Sequence, residues 1–297
     1  MEWHVWDFPD NIRIYFKDEF RLKLYRKLKK ICKTRVEIAK RLKTNAETIR
    51  LSLYLGHRRG IKAYTSVKII KEIVKVFGPQ LGNDLLSELE KNVVAYRSWN
   101  GWNVINPVLP IKESPEFYSV FFHMIGDGNA SIRHSPYYAN KCKELIDEFI
   151  NNLQIFGNVE SKLKIRDDDL TYVRFPKAIT DILSHLLKVK FVRTNNLPKR
   201  IFNASVECKI EAIKAFIDDE GCISTSFCII QKSKNILLQF KRLLELVDIK
   251  TGKICNYSGI HQIYISTFSY RRFESLITLT NTKKNRRLKA KIKNLNY

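Results

Sequence analysis

Negative charge is scarce in this sequence: its 297 residues carry 30 Asp and Glu against 53 Lys and Arg, a formal net charge of +23. Long apolar runs are absent as well. Nothing approaches the roughly 18 residues needed to span a bilayer, which excludes a helical membrane protein. The amino terminus, Met1-Glu2-Trp3-His4, lacks the basic-then-apolar order of a secretion signal, so a cytoplasmic protein is expected. No two of the six cysteines (Cys32, Cys142, Cys208, Cys222, Cys228 and Cys255) form a C-x-x-C pair. That argues against a zinc ribbon, and reduced core thiols without a structural metal are expected. The 44% apolar and 11% aromatic residues exclude disorder as the main state. The length suits about two domains, each with ample core.

The cations are concentrated. Residues 11–50 carry 14 Lys and Arg against 4 acids, and residues 281–297 carry 7 against none. A cationic excess interleaved with aromatics suits a polyanion such as nucleic acid.

Residues 1–96 read as an all-α domain. Thr34-Arg35-Val36-Glu37 and Thr44-Asn45-Ala46-Glu47 both fit the S/T-x-x-E capping box, in which the hydroxyl caps the N3 amide and the Glu reaches back. Ile38 with Leu42, and Ile49 with Leu53, keep the four-residue spacing of one helical face. This pattern is helix-turn-helix-like and puts Asn45, Thr48, Arg50 and Ser52 on a candidate recognition helix. A further helix, about 66–77, is expected to stop at Gly78-Pro79. Residues 97–113, with Trp99, Trp102, Pro107 and Pro110, read as an extended linker because each proline biases its predecessor away from helix.

The remainder repeats itself. Tyr118 to Gly128 and Glu211 to Gly221 are both apolar segments closing on acid-glycine, with Asp127 and Glu220 93 residues apart. Asn140-Lys141 and Gln231-Lys232 follow in matching order, then Phe175, Asp181 and Leu183 against Phe268, Glu274 and Leu276. Two half-domains, 114–204 and 205–297, are therefore expected. Within each, the periodicity alternates as αββαββα, giving an α+β fold. Strand alternation sets Lys162, Lys164 and Arg166 opposite Leu163 and Ile165, and Tyr172 and Arg174 opposite Val173 and Phe175. One sheet face is thus expected to be apolar and covered, the other cationic and open, with Arg133 added to it. In the second copy the open set is Ser224, Ser226, Gln231, Asn256, Gln262, Tyr264 and Ser266. A β-ribbon bearing such residues can read a major groove.

Asp127 and Glu220 lie at the carboxyl ends of their helices, where the macrodipole disfavours a carboxylate. If the copies pack about a pseudo-twofold axis, the two acids also repel each other. A hard divalent cation relieves both penalties, and Mg2+ (or Mn2+) beside a phosphate is the expected occupant. Gly128 and Gly221 keep the turn tight and the approach open. His123, one turn before Asp127, reads first as a packed histidine.

On these residues the sequence resembles the single-chain LAGLIDADG homing endonucleases, through Val120–Gly128 and Ile213–Gly221. The resemblance implies saddle-shaped antiparallel sheets of pseudo-twofold αββαββα halves. It also implies a metal-dependent double-strand DNA endonuclease that acts as a monomer by internal symmetry, with Asp127 and Glu220 as the metal acids. By position, Asn140 and Gln231 match the family's polar residue that orders active-site water. A basic residue follows the last helix of each half: Lys188 or Lys190, and Lys283 or Lys284. Lys190 and Lys283 are the basic residues expected at the site. Two departures stand out. Phe122 and Asp219 occupy helix-interface positions where the family favours small residues, and Asp219-Glu220-Gly221 resembles its D-E-G form. The chain neither begins with Cys or Ser nor ends in His-Asn, so no splicing is expected. Other readings on the same scaffold are an RNA-binding maturase with an intron RNA partner and a non-cleaving transcription regulator. Both acids are present, which disfavours the second.

Overall fold

The computed structural model describes residues 1–54, 63–99, 101–131, 135–192 and 194–295. The chain begins with β1 (Glu2–Trp3), β2 (Arg13–Phe16), α1 (Asp18–Cys32), α2 (Arg35–Arg41), α3 (Ala46–Ile49), β3 (Thr65–Ser66), α4 (Val67–Leu81), α5 (Asn83–Lys91), β4 (Val93–Arg97), β5 (Val104–Ile105) and β6 (Ile111–Lys112). It continues with α6 (Pro115–Ile125), β7 (Gly128–Asn129), β8 (Tyr137–Asn140), α7 (Lys143–Leu153), β9 (Lys162–Ile165), β10 (Thr171–Arg174) and α8 (Lys177–Leu187). It closes with α9 (Val206–Glu220), β11 (Gly221–Ile223), β12 (Phe227–Gln231), α10 (Lys234–Glu245), β13 (Cys255–Tyr257), β14 (Ile260–Tyr264), α11 (Tyr270–Leu276) and α12 (Thr282–Lys293). The fold is mixed helix and antiparallel sheet. No helix among the described residues is long and apolar enough to cross a membrane.

Two compact units divide the chain. The first comprises Met1–Lys112, Phe156–Glu160 and Pro176–Leu186; the second comprises Glu113–Ile155, Ser161–Phe175 and Leu187–Tyr297. Two segments of the expected half-domain 114–204 thus cluster with the first unit.

The first unit is not all-α. A four-stranded sheet in the order β3-β2-β4-β5 runs through it. Its strands are short branched and aromatic runs (Ile14, Tyr15, Phe16; Val93, Val94, Tyr96) whose β propensity was masked by the longer helical periodicity around them. Residues 97–113 are not a free linker either. β5 pairs with β4, β6 pairs with β1, and Ile105 and Asn158 exchange both backbone hydrogen bonds at 3.2 and 2.7 Å. Proline stops helices there but leaves extended pieces able to pair at sheet edges.

Of the two expected caps, Thr34 accepts from the Glu37 amide at 3.1 Å, as the capping box requires. The second helix starts one residue later than expected. Asn45 caps it, accepting from the Thr48 amide at 2.7 Å, while the Thr44 amide is taken by the Ala39 carbonyl. α4 also runs past Gly78-Pro79 to Leu81, and the chain turns at Gly82 with φ +78°. The proline ring suits helical φ, and its missing donor forfeits a single hydrogen bond.

In the second unit the two sheets have the same strand order, β7-β8-β10-β9 and β11-β12-β14-β13. Their amino-terminal helices, α6 and α9, pack against each other. α6 starts at Ser114, whose hydroxyl accepts from the Phe117 amide, with Pro115 at N1. Phe117, Phe121 and Phe122 of α6 and Phe216 of α9 are fully buried, and the Phe122 and Phe216 rings meet edge to face at 6.2 Å. Phe216 in turn lies 4.5 Å from Phe240 of α10. Each such ring contributes about 2–3 kcal/mol by burial.

One face expectation fails. Val173 and Phe175 are buried, but Leu163 and Ile165 are 57% and 68% exposed. β9 is the edge strand, so the helices that cover β10 do not cover it.

Candidate active site

The site belongs wholly to the second unit. Side chains alternate along β8, so Tyr138 and Asn140 share the covered face with Val173, and Asn140 stands at the strand end nearest the α6 terminus. Its amide donates to the Asp127 carboxylate at 2.9 Å, and its carbonyl oxygen is held by the Cys142 amide at 2.9 Å. In the second copy Gln231 donates to Glu220 at 3.1 Å, with its carbonyl oxygen held by the Lys232 amide at 2.7 Å. The structure therefore brings each expected amide to its expected acid. Gln231 shares the face of Phe227 and Ile229, which puts it on the covered side and not with Gln262 and Tyr264 on the open one.

The acids sit where the chain leaves the helices. Glu220 is the last residue of α9, and Asp127 lies two residues past the end of α6. Close backbone approach imposes glycine after each. A Cβ at Gly128 would lie 2.4 Å from the Met124 Cα, and one at Gly221 would lie 2.5 Å from the Ile217 carbonyl oxygen.

Asp219 forms the centre of the cluster, a role sequence reasoning did not assign. Its carboxylate is fully buried and accepts three donors: His123 Nδ1 at 2.9 Å, the Tyr138 hydroxyl at 2.7 Å and the Asn140 amide at 3.3 Å. Room for it comes from Gly126, where a Cβ would lie 2.7 Å from Asp219 Oδ2. Asp218, beside it, accepts the Thr280 and Asn281 amides at 3.1 and 3.0 Å and so anchors the approach to α12.

α12 supplies the lysine. Lys284, not the expected Lys283, reaches the site: its Nζ donates to the carbonyls of Ile217, Asp218 and Asp219 at 3.1, 2.5 and 3.2 Å. Lys283 is exposed. Helical phase decides between them, because Lys284 stands four residues before Leu288, the buried residue of α12. Arg287 and Lys291, on the same stripe, donate to the carbonyls of Ile223 and Thr225. In the first copy, Lys188 and Lys190 are exposed, and the Lys190 carbonyl accepts from the Thr194 hydroxyl; among the described residues no hydrogen bond ties either ammonium to the acids.

The electrostatics are those of crowded carboxyls. Burial, then repulsion from Asp127 and Asp219, pushes Glu220 up to about 7. Asp127 reaches solvent at its rim, yet the protein packed around its carboxyl, together with Asp219, raises it to about 6. Burial also raises Asp218 to about 6. For His123, burial disfavours the charged ring, but Asp219 next to it outweighs burial and holds the pKa above the ordinary histidine value. Burial draws Lys284 below the usual lysine value despite the acids around it.

Asp127 and Glu220 offer hard oxygen donors whose ionised forms repel each other, and this donor chemistry fits Mg2+ or Mn2+. Among the described residues no group of three or more His, Cys, Asp or Glu side chains is arranged as a complete metal cage. Asp219 has both oxygens engaged by donors, so it cannot complete one without breaking those bonds.

The proposed contact residues are placed unevenly. Lys162, Lys164, Tyr172 and Arg174 lie on one sheet face with Tyr137, whose ring meets Tyr172 at 5.2 Å. Arg166, beyond β9, donates to the Tyr172 hydroxyl at 3.2 Å. Gln262 and Tyr264 lie on the open face of the second sheet, though the Gln262 amide contacts Cys228 Sγ at 2.8 Å. Ser224 and Ser226 form the β11-β12 turn instead of a strand face, with the Ser224 amide bonded to the Ser226 carbonyl. Arg133 lies outside the described residues. In the first unit Asn45 is occupied as a cap, Arg50 is paired with Glu47, and Ser52 is buried with its hydroxyl on the Thr48 carbonyl. Thr48 borders a cavity of about 330 Å3 with Arg13, Tyr64 and Trp99.

Fold and site together define a mixed helix and antiparallel-sheet protein with a carboxylate cluster at the joint of two helices. Its similarities to known proteins are partial. No protein-family model matches the chain. Glutamine–fructose-6-phosphate aminotransferase [isomerizing] of Methanocaldococcus jannaschii is 26% identical over an aligned length of 210, and the match covers 65% of this chain and 19% of that protein. The chain thus spans about a fifth of that relative, whose named reaction is its own. Among solved structures, mesophilic variants of the homing endonuclease I-DmoI overlap 55% of this chain and 94% of their own at 18% identity and a TM-score of 0.40. The homing endonuclease I-WcaI bound to its DNA recognition sequence overlaps 55% and 81% at 12% identity and a TM-score of 0.40. Full-length DUF199/WhiA from Thermatoga maritima overlaps 62% of each chain at 10% identity and a TM-score of 0.43.

Proposed function

We propose that this chain is a divalent-metal-dependent endonuclease of the LAGLIDADG homing type, cutting both strands of duplex DNA. One observation carries the reading. Two acids at repeat-equivalent positions, each locked by an amide of the second strand, converge on a cluster whose ionised state is strained, inside a chain of net charge +23. Strained carboxyls in an otherwise cationic protein mark function more often than stability.

Asp127 and Glu220 would hold the ions, which when bound supply a more acidic water and neutralise charge at the phosphate. Asn140 and Gln231 fix the rotamers of the two acids. Lys284 draws the α9 terminus together and sets a positive charge beside the carboxylates. The open face with Lys162, Lys164, Tyr172 and Arg174 would meet DNA as half of a saddle whose other half is the second sheet, related to it by the repeat. Phosphate contact is the role assigned to the cations of the first unit, since Asn45, Arg50 and Ser52, three of the four expected base-reading side chains there, are engaged within the protein.

The test is cleavage of a randomised duplex library with Mg2+, followed by strand-labelled assays on the selected duplex. Asp127→Asn and Glu220→Gln should each abolish cutting while leaving duplex affinity within a few fold. Wild-type protein that binds a selected duplex tightly, yet cuts neither strand with Mg2+ or Mn2+, overturns the reading.

A further inference from the structure

The acids are supported unequally. Gln231 donates to Glu220 alone, whereas the Asn140 amide is shared among Asp127, the Tyr138 hydroxyl and Asp219 at 2.9, 3.2 and 3.3 Å. The carboxylate that organises the second arrangement comes from the other copy, since Asp219 lies on α9 while its three donors lie on α6 and β8. The repeat offset of 93 makes Asp219 equivalent to Gly126, and His123 equivalent to Phe216. Neither member of the buried pair thus has a counterpart in the opposite half. His123 is fully buried, and its Nε2 has no partner among the described residues. The ring is held by Asp219 and by packing against Tyr138 and Phe149 at centroid distances of 5.0 and 6.0 Å.

We infer that Asp219 and His123 are positioning residues: the buried pair locks Tyr138 and Asn140, and through Asn140 the Asp127 carboxylate, so that the two halves of the site are tuned by different means and cut their strands unequally. The inference rests on the endonuclease reading for its kinetic consequence but not for its structural one. A buried carboxylate with three donors gives a rigid support, because losing any partner leaves a desolvated polar group behind. Outer groups that orient a metal-site ligand commonly change its performance by about 10- to 100-fold.

Two measurements on the full chain test this. The first is hydrogen exchange of the Asn140 side-chain amide, followed by NMR on protein labelled with 15N-Asn and without DNA. Its protection in the wild type should drop at least tenfold in Asp219→Asn and in His123→Phe, the latter writing the residue of the second copy into the first. The double variant His123→Phe/Asp219→Gly removes the pair together and spares the fold a buried unpaired charge; it should lose the same protection. The second is strand-resolved cleavage of a duplex selected from the randomised library, with Mg2+. In Asp219→Asn the strand most slowed by Asn140→Ala should slow about tenfold more than the other, so nicked duplex accumulates. An Asn140 amide that stays protected in all three variants overturns the inference, as does equal slowing of both strands. If the wild type cuts no duplex at all, the functional proposal fails while the exchange measurement still decides this one.

Discussion

Among the many differences between the helix ending before Asp127 and the helix ending at Glu220, three equated pairs bear on the joint: Phe122 against Ala215, His123 against Phe216, and Gly126 against Asp219. At two of them a large residue in one helix corresponds to a small one in the other, and for the third pair the space is visible, since Asp219 occupies what a Cβ on Gly126 would fill. The volume at the joint is therefore shared complementarily and not symmetrically. Close packing tolerates this as long as the total is conserved. The bulky Phe122 is accommodated the same way, buried edge to face on Phe216. The halves resemble each other in strand order and differ in what fills the seam between them, so similarity of topology does not carry similarity of chemistry.

The comparison can be strained from the side of the second half first. Lys284→Met should lower cleavage by about 100-fold, whereas Lys283→Met, one residue away and exposed, should change it less than about twofold, both read as single-turnover rates. Comparable losses in the two variants would make charge alone, not placement on the α9 terminus, the relevant property. A second break is steric. Gly126→Ala should destabilise by about 1–3 kcal/mol in urea unfolding, and Asp219→Gly in the same chain should return part of that loss.

The smallest effect is in pH dependence. A carboxyl that holds its proton more tightly in the folded chain than in the unfolded one contributes stability while protonated and loses it as pH rises through the folded pKa. For Asp127 and Glu220, raised to about 6 and about 7, that loss falls between roughly pH 4 and pH 7. In metal-free protein, Glu220→Gln should be about 1–2 kcal/mol more stable than wild type at pH 8 and nearly equal to it at pH 4.5. A variant no more stable at pH 8 would mean that the carboxyls are not in fact strained.

Much of the site is legible in the sequence because it is written in register. The acid-glycine ends, the second-strand amides and the alternation of β10 follow from short-range periodicity, and the structure places Asn140 and Gln231 on their acids. What was not legible depends on contacts between distant segments. Asp219 gains its meaning from His123 and Tyr138, 96 and 81 residues earlier. Reading Leu163 and Ile165 as buried failed because edge position is a property of the sheet, not of the strand. The small sheet of the first unit escaped because strands of two to five residues leave little periodic signal beside a 15-residue helix. Lys284 could have been chosen over Lys283 from its spacing to Leu288.

The fit of Asp219 beside Gly126 also makes each helix specific for the other. A protein assembled from two first halves would face glycine with glycine, leaving an empty seam and an unpartnered histidine on each side. One assembled from two second halves would press carboxylate against carboxylate where no glycine makes room. Neither half could pack against a second copy of itself through this seam without changing this pair.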